Sequence, residues 1–224
     1  ASAAGAVTGA AGAYDVHASV TVAQADTLTV APGDVLTFQD TTGEVELEIQ
    51  GALLAAGEGG RSIRFTSAAG QPGDWAGLVY RDTGPGSAFV LRYAIVEYAV
   101  IAVDVVYDDI ELEACHLRYT SEKALDLTGA GGTVRGCHVY ENQQRAVTMT
   151  LGSSPLIEDC WLRDNNLENS SPYPYVSIGL QGVNSPVIRR CMILGGGQHM
   201  SGGIAIWNQS QGVIEDCMIR DCGY

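Results

Sequence analysis

The chain is short of cations. Lys and Arg together number 12 against 26 Asp and Glu, a formal charge of −14. A surface this acidic repels nucleic acid and anionic membranes. It also repels polyanionic glycans unless calcium or a local basic patch intervenes, which leaves neutral glycans, cations and basic partners open. Charged residues of both signs make up only 17% of the chain and hydrophobic ones 46%, a folded rather than a disordered composition. No apolar run is long enough to cross a bilayer. There is no initiator Met and no apolar signal segment, so Ala1-Ser2-Ala3-Ala4-Gly5 reads either as the stub of a cleaved leader or as an arbitrary start. Paired CxxC ligands, phosphate loops, dinucleotide fingerprints and nucleophile elbows are all missing. No resident cofactor is therefore expected.

What is present is a repeat. One pattern occurs six times: Leu91-Arg92-Tyr93-Ala94, Leu112-Glu113-Ala114-Cys115, Val134-Arg135-Gly136-Cys137, Ile157-Glu158-Asp159-Cys160, Ile188-Arg189-Arg190-Cys191 and Ile214-Glu215-Asp216-Cys217. Another aliphatic follows two residues later, at Val96, Leu117, Val139, Leu162, Ile193 and Ile219. A small or polar corner then leads to a second alternating strand, as in Val103-Asp104-Val105, Leu125-Asp126-Leu127 and Val147-Thr148-Met149. The markers at 94, 115, 137, 160, 191 and 217 are separated by 21, 22, 23, 31 and 26 residues. Strict alternation over three to five residues means strand, because successive side chains point to opposite faces. A repeat of about 22 residues with short strands is one turn of a solenoid, whose apolar face is buried only when coils stack.

Stacking predicts columns. Ala94, Cys115, Cys137, Cys160, Cys191 and Cys217 should point inward as small hydrophobes, with free thiols favoured over disulfides and Cys217–Cys222 the one pair to check. Arg92, Glu113, Arg135, Glu158, Arg189 and Glu215 alternate in sign without a break, which suits neighbours ~4.8 Å apart on adjacent coils.

The first half reads as less regular strands and turns. Leu28-Thr29-Val30-Ala31-Pro32-Gly33-Asp34-Val35-Leu36-Thr37-Phe38, Gly51-Ala52-Leu53-Leu54-Ala55-Ala56-Gly57, Ile63-Arg64-Phe65-Thr66-Ser67 and Gly73-Asp74-Trp75-Ala76-Gly77-Leu78 resemble the opening coils of secreted bacterial β-helix proteins. With the repeats, the resemblance spans residues 19–224 and is to the pectate-lyase-like β-helix superfamily. It implies an all-β fold, a right-handed parallel β-helix with coils of about 22 residues and an irregular N-terminal start. It also implies a secreted or cell-surface location. It does not fix the activity, since that superfamily holds lyases, hydrolases, epimerases, tailspikes and adhesins. Residues 1–18 are expected to be a flexible segment ahead of the helix over 19–224. The last coil starts at Ile214 and breaks off about half a turn later, so either a longer parent chain or another chain, including a second copy, is expected to cover it.

Four groups carry candidate chemistry, each with an ordinary alternative. His116 and His138 should stack outward and could hold a metal, but Trp161, Met192 and Met218 continue their column and supply no third ligand. Asp104 and Asp126 should stack outward at a spacing near that of a retaining glycosidase pair; they could equally bind calcium or form a solvated face. Arg118, Arg163 and Arg220 share an outward column with Tyr140 and Leu194. Two insertions, at 165–175 and 195–203, should rim a groove. Tyr173, Tyr175, Gln181, His199, Trp207 and Asn208 then form a candidate polysaccharide or cell-surface glycan site, because aromatic faces with polar tips suit sugars. The expectation is a structural or adhesive β-helix that binds glycan. A polysaccharide lyase or glycoside hydrolase, and a subunit that stacks end to end, are the alternatives.

Overall fold

A computed structural model describes residues 7–10, 12–81, 84, 87–168, 176–195 and 202–222. Among them there is no helix, and the strands fall into three sheets, parallel except for the first pair of strands, that wind as a solenoid of eight coils. In the order the chain visits them, sheet I contains Ala88–Arg92, Asp109–Glu113, Gly131–Arg135, Leu156–Glu158, Val187–Arg189 and Val213–Glu215. Sheet II contains Ala94–Glu97, His116–Arg118, His138–Tyr140, Trp161–Arg163, Met192–Leu194 and Met218–Arg220. Sheet III contains Val103–Val106, Leu125–Thr128, Val147–Thr150, Val176–Gln181 and Gly202–Trp207. Earlier coils, from Val20–Val22 to Gly77–Arg81, extend all three sheets without a break.

The predicted columns are present. Leu91, Leu112, Val134, Ile157 and Ile188 stack in register, as do Val96, Leu117, Val139, Leu162 and Ile193, and all are 0–2% exposed. Ala94, Cys115, Cys137, Cys160 and Cys191 line the inside of the corner between sheets I and II, and all six cysteines are free. Their polarity is used locally: Cys115 Sγ donates to Leu91 O on the preceding coil at 3.1 Å, and Cys160 and Cys191 repeat the contact at 3.5 and 3.6 Å. The neighbouring Cys137 and burial push the Cys160 thiol up to about 12, so it behaves as an inert hydrophobe.

Two devices turn the corners. Left-handed residues recur at Tyr93, Ala114, Gly136, Asp159, Arg190 and Asp216 before sheet II. They recur after it at Tyr98, Tyr119, Glu141, Asp164 and Asp221. Non-glycine residues are strained in that conformation, and the hydrogen bonds of the flanking strands hold them there. Inside the corner between sheets II and III, polar ladders satisfy the turning backbone. Asn142 Oδ1 accepts from Thr120 N at 3.1 Å, and Asn142 Nδ2 donates to Asn165 Oδ1 at 2.7 Å. Ser153 and Asn184 do the same after sheet III, at 2.9 Å.

The start corrects one expectation. Within the supposedly flexible 1–18, Val7–Ala10 and Ala13–Val16 form an antiparallel hairpin, and the second strand runs parallel to Val35–Phe38. Tyr14 and Val16 alternate inward and Val16 is 2% exposed, so burial offsets the entropy of ordering this stretch. At the other end, Ile214 and Ile219 are 41% and 43% exposed although they continue columns that are sealed below them.

The alternating charges also meet. Glu158, 2% exposed, pairs with Arg135 at 2.6 Å, Arg189 at 2.8 Å and Arg190 at 2.6 Å. Arg189, Arg190 and Arg135 hold its carboxyl down at about 2, against about 4.3 for a free glutamate. A depressed carboxylate stabilises the fold above its unfolded value and loses that contribution as pH falls towards its folded one. Glu158→Gln should therefore flatten the decline in stability between about pH 4.5 and 2, measured by denaturant melts across that range. In the same assay, Leu117→Ala should cost about 2–5 kcal/mol, whereas Leu151→Ala, at a corner 64% exposed, should change stability by less than about 0.5 kcal/mol.

Candidate functional site

On a solenoid the outward side chains of one sheet form columns whose spacing is set by the backbone, so a surface site is as rigid as the core beneath it. Sheet II carries two adjacent outward columns. Ile95, His116, His138, Trp161, Met192 and Met218 form one. Glu97, Arg118, Tyr140, Arg163, Leu194 and Arg220 form the other.

The rings in these columns touch from coil to coil. His116 and His138 have centroids 4.9 Å apart, and His138 meets Trp161 edge-on at 5.4 Å. Tyr140 lies edge-on to His116 at 6.0 Å and to Tyr119 at 6.2 Å, and Tyr119 stacks on Tyr98 at 5.4 Å. Arg163 covers Tyr140 at 4.7 Å and Trp161 at 5.6 Å. His116, His138, Tyr140, Trp161 and Arg163 enclose a cleft of about 220 Å³, and Trp161 is 37% exposed on its wall.

One coil before the cleft lies a carboxylate that sequence reasoning missed. Glu97 is 1% exposed and accepts from Arg118 Nε and Nη2 at 2.8 and 2.6 Å, from Thr66 Oγ1 at 2.9 Å and from Arg64 Nη1 at 3.3 Å. Trp75, stacked on Phe38 in the core, donates its indole N–H to the Glu97 carbonyl at 3.0 Å. Arg118 Nη1 in turn donates to the Tyr140 hydroxyl at 2.8 Å, and that hydroxyl lies 3.5 Å from His116 Nδ1. The signal was available: Glu97 occupies the Arg118–Tyr140–Arg163 column one repeat earlier.

Both imidazoles are biased towards the neutral form. Burial, then His138 and Arg118, pull His116 below the ordinary histidine value, and burial, then Arg163, does the same to His138. Neutral imidazoles are competent metal ligands, but among the described residues no group of three or more His, Cys, Asp or Glu is placed to hold an ion.

Sheet III carries the other candidates. Asp104 and Asp126 are register partners, as expected. Asp126 pairs with Lys123, while burial and then the Asp126 charge raise the Asp104 carboxyl above the ordinary range. Of the proposed groove, Gln181 and Trp207 are register partners, and with Asn208 and Arg145 they line a shallow hollow of about 290 Å³. Arg145 sits 5.6 Å over the Trp207 ring. Tyr173, Tyr175 and His199 lie outside the described residues.

Eight stacked coils, sealed inside and patterned outside, define a parallel β-solenoid that presents rigid side-chain columns. Residues 100–224, more than half of the chain, match the family model for the right handed beta helix region, and the chain belongs to that family. This agrees with the resemblance to the pectate-lyase-like superfamily. No curated protein and no solved structure matches the chain.

Asp126→Asn removes the like charge beside Asp104 and frees the Lys123 ammonium. Asp104 should then titrate at lower pH, read from its carboxyl chemical shift in an NMR titration.

Proposed function

We propose that this protein is an extracytoplasmic, structural or adhesive β-helix that binds carbohydrate on the outer face of sheet II. The observation that carries this reading is the unbroken run of rings from Tyr98 through Tyr119, Tyr140, His116 and His138 to Trp161. Outward positions of a sheet facing water ordinarily carry charged or small polar side chains. Here they carry flat faces with polar tips, held at fixed spacing by parallel hydrogen bonding. A sugar ring offers C–H faces to stack on aromatics and hydroxyls that both donate and accept, and this cleft offers both partners. The site is built on strands, so little ordering remains to be done on binding. The sheet III hollow of Gln181, Trp207, Asn208 and Arg145 offers the same kind of surface on a second side of the solenoid.

Immobilised oligosaccharide arrays test the reading, with hits followed by calorimetry. Trp161→Ala should weaken binding by about tenfold or more, as expected for loss of a central aromatic anchor. Unchanged affinity in that variant would remove sheet II as the site.

A second reading is favoured by Asp104. A carboxyl raised above the ordinary range beside a carboxylate paired with Lys123 is an acid–base couple, which fits a polysaccharide-cleaving enzyme. Product release from a polysaccharide, abolished by Asp126→Asn, would establish it.

A further inference from the structure

We propose that the sheet II cleft selects uncharged saccharides and discriminates against acidic and amino sugars, because the charges around its imidazole pair cancel. The inference rests on the carbohydrate-binding reading and narrows it to a ligand class.

The charged groups around the cleft can be enumerated. Arg64, Arg118 and Arg163 are cationic; Glu97, Glu141 and Asp164 are anionic. Each cation is engaged: Arg64 and Arg118 with Glu97, and Arg163 with Asp164 at 2.5 Å and Glu141 at 3.5 Å. Beyond Trp161, Asp159 and Arg190 pair with each other at 2.8 Å. His116 and His138 are both pulled below the ordinary histidine value, towards the neutral form, and the six charged groups, Arg163 in the wall and the five paired around it, sum to zero. A carboxylate or sulfate ester entering this cleft would lose hydration and find only guanidinium groups already bound to carboxylates. An ammonium group would meet the same cancellation with the signs reversed.

Hydrogen-bonding character points the same way. Arg118 donates to the Tyr140 oxygen, which leaves the phenolic proton free to face His116 Nδ1. That contact favours the His116 tautomer with its proton on Nε2, so the ring presents a donor. A neutral His138 keeps one acceptor nitrogen and one donor. The cleft therefore mixes donors and acceptors, which matches hydroxyls and matches neither an acceptor-only anion nor a donor-only cation. Glu97 and Arg118 are positioning residues in this scheme: through Tyr140 they set the face His116 shows.

The test is equilibrium binding of size-matched neutral, uronic-acid and amino oligosaccharides to the whole chain, from pH 7.5 downward. Neutral saccharides should bind about tenfold tighter than charged ones at pH 7.5. Where falling pH protonates the imidazoles, neutral affinity should fall and acidic affinity should rise. The double variant Glu141→Gln, Asp164→Asn should release Arg163 and raise uronic-acid affinity by about tenfold relative to neutral binding. Acidic or amino saccharides binding the unaltered protein best would overturn the charge-cancellation proposal and leave carbohydrate binding standing. Absence of binding by all three classes would overturn both.

Discussion

Coil-on-coil hydrogen bonding in exact register is the constraint on which everything else in this molecule depends. A parallel pair slipped by one residue would turn every inward side chain outward. Here the slip is forbidden three times per coil, by the aliphatic columns of sheets I, II and III. The same register that buries Leu112 over Leu91 also places His138 over His116 and Glu158 over Arg135. The outer face is thus ordered as a by-product of sealing the inner one, and a site built there needs no dedicated scaffold.

The molecule spends polar groups in two distinct ways. Inside the corners, Asn142, Asn165, Ser153 and Asn184 satisfy backbone that must leave the sheet, and their geometry is fully accounted for by neighbouring coils. Glu158 similarly organises three arginines on sheet I. On sheet II the polar groups do more than support the backbone. Glu97 fixes Arg118, Arg118 fixes Tyr140, and Tyr140 faces an imidazole at the mouth of a cleft. A chain of contacts that ends at a half-exposed ring, rather than at buried backbone, is what separates this face from the structural ladders.

Much of the fold was legible because a solenoid writes its geometry into sequence period. The spacing of Cys115, Cys137 and Cys160 located the corner, the alternating Arg and Glu gave the register, and the stacking of Asp104 with Asp126 followed. The corner conformations were not legible: Tyr98, Tyr119 and Leu151 adopt left-handed backbone that their side chains disfavour, imposed by the strands on either side. The hairpin of Val7–Ala10 and Ala13–Val16 was missed because its strands are short and mostly small, and only the pairing of Ala13–Val16 with Val35–Phe38 ties it to the solenoid. For the site, the sequence placed the aromatic residues in the right columns but directed attention to the insertions. Gln181, Trp207 and Asn208 line one hollow, yet the denser array lies on sheet II, where the column position of Glu97 was readable one repeat before Arg118 but its burial was not.

On the carbohydrate-binding reading, the columns act as one binding surface, with each ring supporting the next. A double-mutant cycle on saccharide affinity, comparing His138→Ala, Trp161→Ala and the double variant, tests that claim most directly. Rings in contact one coil apart should give a coupling of about 0.5–1.5 kcal/mol. Strict additivity of the two substitutions would mean that they act independently, and would contradict the account.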